Sequence, residues 1–180
     1  YQAMCLGNRE FHVWQGGFAS KLRNCPHPVL CANLKSRGRP LPPAVRPSLV
    51  LDTMPGLRVG LIGLTVPMVT RSMAAARLSH YLFENPVEAA RREVAGLRPQ
   101  CQMIIALSHL GLKRDRELVQ QVPEIDLVVG GHSHTPLNEP EGHDGRYIVQ
   151  AAPYGKAVGR VEVESGSDKV ALVGGELIAL

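Results

Sequence analysis

Two apolar runs that end in glycine and histidine constrain this chain more than any other feature. The first is Ile105-Ala106-Leu107-Ser108-His109-Leu110-Gly111. The second is Asp126-Leu127-Val128-Val129-Gly130-Gly131-His132-Ser133-His134-Thr135. Short apolar runs read as buried strands, and each Gly-His cluster falls where its strand leaves the sheet. Imidazoles at the carboxyl ends of neighbouring strands converge on one point, the place where open α/β sheets put their ligands. The spacing predicts a metal site that includes His109, His132 and His134.

The rest of the chain agrees with such a fold. Its 180 residues make one domain by length, spanning 1–180, and bury a core. Hydrophobic content of 44% and charged content of 20% are ordinary for a soluble globular protein. No apolar run approaches the ~20 residues that cross a bilayer, so no membrane partner is expected. The net charge is +4, and Lys35, Arg37, Arg39 and Arg46 fall in the Pro-rich stretch 35–47. No aromatics interleave with these cations, which reads as a solvated loop rather than a nucleic-acid surface. Cys5, Cys25, Cys31 and Cys101 show no Cys-x-x-Cys spacing and read as reduced thiols, which favours the cytoplasm. No signal peptide is visible, and the chain, beginning at Tyr1, reads as starting inside a domain.

Strands and helices alternate along the middle of the chain. Strands are expected at Ala3–Leu6, Val29–Leu34, Leu49–Leu51, Arg58–Leu64, Met103–Leu107 and Leu127–Val129. A brief helix is expected at Gly17–Arg23. The prolines at 40, 42, 43 and 47 make 35–47 a loop. The strongest helix signal follows Asn85, a capping residue with Pro86 at the first helical position and Glu88 three residues on. Val87, Ala90, Val94 and Leu97 then share one face, and Pro99 ends the run. A second helix over Lys113–Val122 turns Leu118, Val119 and Val122 inward. Closing strands follow at Tyr147–Ala151, Val158–Glu164 and Val170–Leu177. Arg160 to Glu164 alternates, so one face of that strand meets water. The pattern is that of a layered α/β domain.

In Gly130-Gly131-His132-Ser133-His134 the two imidazoles stand at i and i+2. A turn loosened by Gly130 and Gly131 lets both face one site, each addressing a different metal. Leu6-Gly7-Asn8-Arg9-Glu10-Phe11-His12 is a third strand end followed by glycine and polar groups.

Gly-Asn-x-Glu, Ser-His-Leu-Gly and Gly-Gly-His-Ser-His-Thr, in that order, resemble the calcineurin-like metallophosphoesterases. The similarity is to their bacterial 5′-nucleotidase and UDP-sugar hydrolase branch. Gly60-Leu61-Ile62-Gly63-Leu64-Thr65 also resembles that family's strand before its Thr-Pro loop. The resemblance implies an α/β/β/α sandwich with mixed sheets, incomplete at its N-terminus. It implies a small phosphorylated substrate, a nucleotide among the options, and two divalent metal ions. Asn8, His109 and His132 match ligands of one metal, and His134 matches a ligand of the other. Amide and imidazole donors suit Mn, Zn or Fe. The family offers the periplasm or the exterior as an alternative compartment.

Two departures from the family pattern matter. The Asp-x-His and Gly-Asp blocks are absent, and Asp52 and Asp126 read as turn or capping residues rather than replacements. A fragment of this kind is expected to aggregate or to dimerise through an open sheet edge. Second, the family's Gly-Asn-His-Glu reads Gly-Asn-Arg-Glu, and His12 stands where the branch often has the Asp that orients the missing histidine. One reading is an exchange of roles, in which Arg9 clamps phosphoryl oxygens and His12 supplies the titratable imidazole, making both catalytic. The alternatives are a phosphoesterase-like protein that binds a phosphorylated ligand without turnover, and a fold remnant without metal. Glu10 reads as a capping or ion-pair residue, Asn33 as a hydrogen-bonding strand end, Trp14 and Phe18 as packing, and Thr65, Arg71 and His143 as loop polar groups.

Overall fold

The computed structural model describes residues 1–11, 15–38, 40–165 and 170–180. Its centre is the Leu57–Thr65 run, β6, buried almost throughout, as a strand covered on both faces must be. It stands inside a six-stranded sheet with β5 (Ser48–Met54), β8 (Met103–His109), β9 (Leu127–Val129), β10 (Glu141–His143) and β11 (Arg146–Val149). The order is β10-β11-β9-β8-β6-β5. The four inner strands run parallel, and the edges β5 and β10 run antiparallel.

Alternate side chains of this sheet enter different cores. Ile62, Leu64, Ile104, Ala106, Val128 and Ile148 pack against α2 (Pro86–Leu97) and α3 (Leu112–Gln121), through Ala89, Ala90, Val94, Leu97, Leu118 and Val119. Leu57, Val59, Leu61, Met103 and Leu127 pack the other way. There they meet Leu30 of a three-stranded parallel sheet formed by β1 (Met4–Cys5), β2 (Val29–Leu30) and β4 (Val45–Arg46). The same face receives Val161, Val170 and Leu172 from the hairpin of β12 (Ala157–Ser165) and β13 (Val170–Ala179). Phe18 and Leu22 of α1 (Gln15–Arg23) cover the far side of the smaller sheet over Leu6, Val29 and Cys31. The layers are α/β/β/α. Gly63 is where the two sheets nearly touch: a Cβ there would stand 2.3 Å from the Leu30 carbonyl.

Several expected elements form. Asn85 caps α2, its Oδ1 accepting from the Val87 and Glu88 amides at 2.8 and 3.4 Å. All four cysteines are free thiols. The single strand expected at Val29–Leu34 is instead broken. Cys31 N–H donates to the Arg46 carbonyl within the small sheet, and Ala32 N–H donates to the Gly63 carbonyl in the large one. The chain changes sheets there and restarts as β3 (Leu34–Ser36), paired with β7 (Tyr81–Phe83). The loop expected over 35–47 therefore contains the end of β3 and all of β4. Strands β7 and β10 were not anticipated, since three residues are too few to show a period.

Candidate metal centre

Parallel pairing aligns the carboxyl ends of β6, β8 and β9, and the end of β1, in the facing sheet, comes to meet them. Register places Thr65 of β6 beside His109, the last residue of β8. The turn after β1 carries Asn8, in a one-turn 3-10 helix over Asn8–Phe11. His109 Nε2 lies 3.1 Å from Asn8 Oδ1. The His132 ring stands edge-on to His109, 5.0 Å between centroids. Residues from three distant segments thus meet.

Gly7 makes this approach possible. A Cβ at that position would lie 3.0 Å from His109 Cε1 and 3.0 Å from Glu10 Oε2. Glu10 Oε2 accepts the Gly7 amide at 2.6 Å, so Glu10 ties the turn together, as its capping reading anticipated. Asn33 is wholly buried and clasps the end of β6, accepting the Thr65 amide at 3.0 Å and donating to its carbonyl at 2.8 Å. Thr65 is equally buried and presents nothing to a substrate.

The turn after β9 departs from expectation. The left-handed backbone sits on the histidines themselves, with φ of 69° at His132 and 56° at His134. Non-glycine residues rarely adopt this region, and such strain collects at functional sites. Gly130 and Gly131 are needed for space instead: a Cβ on Gly130 would stand 2.8 Å from Asp115 Oδ2, and one on Gly131 3.3 Å from the Ser108 carbonyl. Between the histidines, Ser133 is anchored. Its Oγ accepts the Leu112 amide at 3.2 Å and donates to Gln150 Oε1 at 3.2 Å. His132 and His134 stay exposed on either side of it.

The structure brings together Asn8, His109 and His132. The exposed ring of His134 meets that of Tyr154, 5.3 Å between centroids, and its charge still bears on His109. Arg9 is exposed on the same 3-10 turn as Asn8, and Lys21 Nζ reaches its carbonyl at 3.5 Å. His12, Trp14 and Arg39 lie outside the described residues. Asp52 pairs with Arg58 at 2.9 Å, and Asp126 accepts from Arg98 and the Ile104 amide, both at 2.7 Å, so neither carboxylate serves this site. His143 is held by Glu141 at 2.7 Å.

Among the described residues, no three His, Cys, Asp or Glu side chains close on one point. The donors that do converge are one amide oxygen and two imidazoles. Adjacent ligands on an ion with bonds of about 2.1 Å stand roughly 3 Å apart, which the Asn8–His109 pair satisfies. The set therefore fits one side of a dication's shell, with no carboxylate in it. Burial, then the charge of His132, holds the His109 pKa below its usual value, against the opposing pull of Glu10. That favours the neutral imidazole a metal requires.

Four residues behind the site escaped the sequence reading: Ser108, Asp115, Ser133 and Gln150. One signal was available. Asp115 lies three residues before Leu118, on the apolar face of α3, and it is fully buried.

A mixed sheet and a smaller parallel one that face each other between helices, with amide and imidazole donors at the strand ends, define the metallophosphoesterase class. No model of a known protein family matches the sequence. A mouse 5′-nucleotidase is 36% identical across 91% of this chain and 32% of its own length. A Vibrio cholerae 5′-nucleotidase is 28% identical across 99% of the chain and 37% of its own length. The crystal structure of a 5′-nucleotidase precursor from Thermus thermophilus superposes with a TM-score of 0.86 at 31% identity, covering 100% of this chain and 39% of that one. The calcineurin-like phosphoesterase YfkN from Bacillus subtilis shares the fold, with a TM-score of 0.73 at 18% identity, over 99% of this chain and 63% of that one. The chain belongs to the calcineurin-like metallophosphoesterases, in the 5′-nucleotidase branch. It spans about a third of the length of the curated relatives it matches first.

Proposed function

We propose that the protein carrying this domain hydrolyses phosphate esters, nucleotides among them. The observation that carries this is the meeting of Asn8, His109 and His132 at aligned strand ends, with Asn8 and His109 linked at 3.1 Å. Family membership supports it: the relatives are named 5′-nucleotidases. Asn8, His109 and His132 would hold one divalent ion, and His134 would reach toward a second. Bound ions of the Mn, Zn or Fe kind would supply Lewis acidity and lower the pKa of water at the site.

The chain's own residues supply the rest. His109 offers an unprotonated ring nitrogen, kept so by burial and by its neighbour. Glu10 stiffens the turn that aims Asn8. Arg9, exposed beside Asn8, has forked donors suited to phosphoryl oxygens. His12 is assigned the proton transfer that the family's missing histidine would otherwise assist.

The test uses the full-length protein with Mn2+ or Zn2+, an aryl phosphate and AMP. Turnover of either substrate is expected, with loss of at least about a hundredfold in His109→Ala. His12→Ala is expected to lower kcat by about 10²–10⁴. Unchanged turnover in His12→Ala removes the exchange of roles. A second reading, ligand binding without hydrolysis, is favoured by Arg9 alone. Tight Mn2+ and AMP binding with no phosphate release would establish it.

A further inference from the structure

Asp115 is the one buried carboxylate behind the metal centre, among the described residues, and the backbone on both sides of it is shaped around it. It is wholly inaccessible to solvent. Its Oδ1 accepts the Ser108 hydroxyl at 2.5 Å. The same Ser108 Oγ accepts the Leu110 amide at 3.1 Å. The carboxylate thus grips the residues immediately before and after His109. Its Oδ2 faces the other loop: a Cβ on Gly130 would lie 2.8 Å from it and 3.1 Å from Gln150 Oε1. Gln150 in turn accepts from Ser133, which sits between His132 and His134.

Such a group is costly. Asp115 Oδ2 has no hydrogen-bond partner among the described residues, and burial pushes the carboxyl up to about 6. A leucine would fill an apolar helix face at no such cost. What a leucine lacks is a contact to Ser108 and a polar wall against Gly130. Resting on the metal reading above, we propose that Asp115 is a positioning residue that registers the His109 strand end against the loop of His132. The two imidazoles then meet in one fixed relation. It touches neither metal nor substrate; it acts through Ser108 and through the space Gly130 leaves.

The test takes the full-length protein, metal-free, with 13C-labelled histidine, and reads the His109 and His132 ring signals beside thermal unfolding and Mn2+ titration. Asp115→Leu is expected to move both ring signals and weaken Mn2+ uptake about ten- to a hundredfold, as loss of a group behind a ligand does. Asp115→Asn keeps an oxygen for Ser108 and is expected to restore both, with uptake within about threefold of wild type. A packing role alone would lower the unfolding temperature of Asp115→Leu yet leave ring signals and Mn2+ uptake as in wild type, and that overturns the proposal. If Asp115→Leu does not fold, Ser108→Ala decides: a shifted His109 signal with His132 unmoved supports the proposal, and an unmoved His109 signal refutes it. Wild-type protein that takes up no Mn2+ refutes the metal reading instead, while the metal-free ring signals still judge Asp115.

Discussion

At single residues, the site depends on side chains that are missing as much as on those present. Gly7 leaves room for the His109 ring, and Gly130 leaves room for Asp115. Gly7→Ala is therefore expected to push the ring away from Asn8 and lower Mn2+ affinity about tenfold, read by titration, with little change in unfolding temperature. Asp115 also has a pH signature. Its folded pKa, raised by burial from 3.8 to about 6, makes the folded state bind its proton more tightly than the unfolded chain. Its contribution is thus most favourable below the unfolded value and is lost as pH rises through about 6. Wild type should lose stability relative to Asp115→Asn between about pH 4 and 7, seen as converging or crossing denaturant midpoints. The residues that converge, Asn8, His109 and His132, were legible because glycine and histidine at strand ends are rare and specific. The strain at His132 was not, because nothing in a linear sequence marks which residue of a Gly-Gly-His-Ser-His run takes the left-handed conformation.

At the level of elements, legibility followed length. The apolar runs of β6 and β8, and the capped helix α2, have enough residues for a period to emerge, and all three formed close to their expected bounds. The two-residue strands β2 and β4 exist only because a neighbour supplies the pairing. Proline content argued for a loop around β4, and the pairing of Val29 with Val45 overrode it. Helix α2 offers a control remote from the chemistry. Asn85→Ala should remove the two amide contacts of its cap and cost about 1 kcal/mol of stability in denaturant unfolding. Mn2+ affinity should be unchanged.

For the molecule as a whole, the layered class was readable from the alternation of elements, and the family from three ordered motifs. What pairs with what was not readable, since the order of the large sheet is set by long-range contact rather than by local preference. The proposed metal dependence belongs to this scale too. Stripping divalent ions from the full-length protein with a chelator should abolish hydrolysis and lower stability. Restoring Mn2+ at a hundred times its dissociation constant should return about 2.7 kcal/mol, measured as a shift in unfolding temperature.

The pairing of Thr65 with His109 carries a consequence for how such a domain tolerates change. Side chains of a strand point alternately up and down, so a single inserted or deleted residue within Met103–His109 would turn the imidazole to the opposite face. Neighbouring strands would then have to slip in concert to recover it. Length variation among related domains should accordingly gather in stretches that no ladder disciplines, such as 66–80 and 135–140, while the span from Met103 to His109 stays invariant in length.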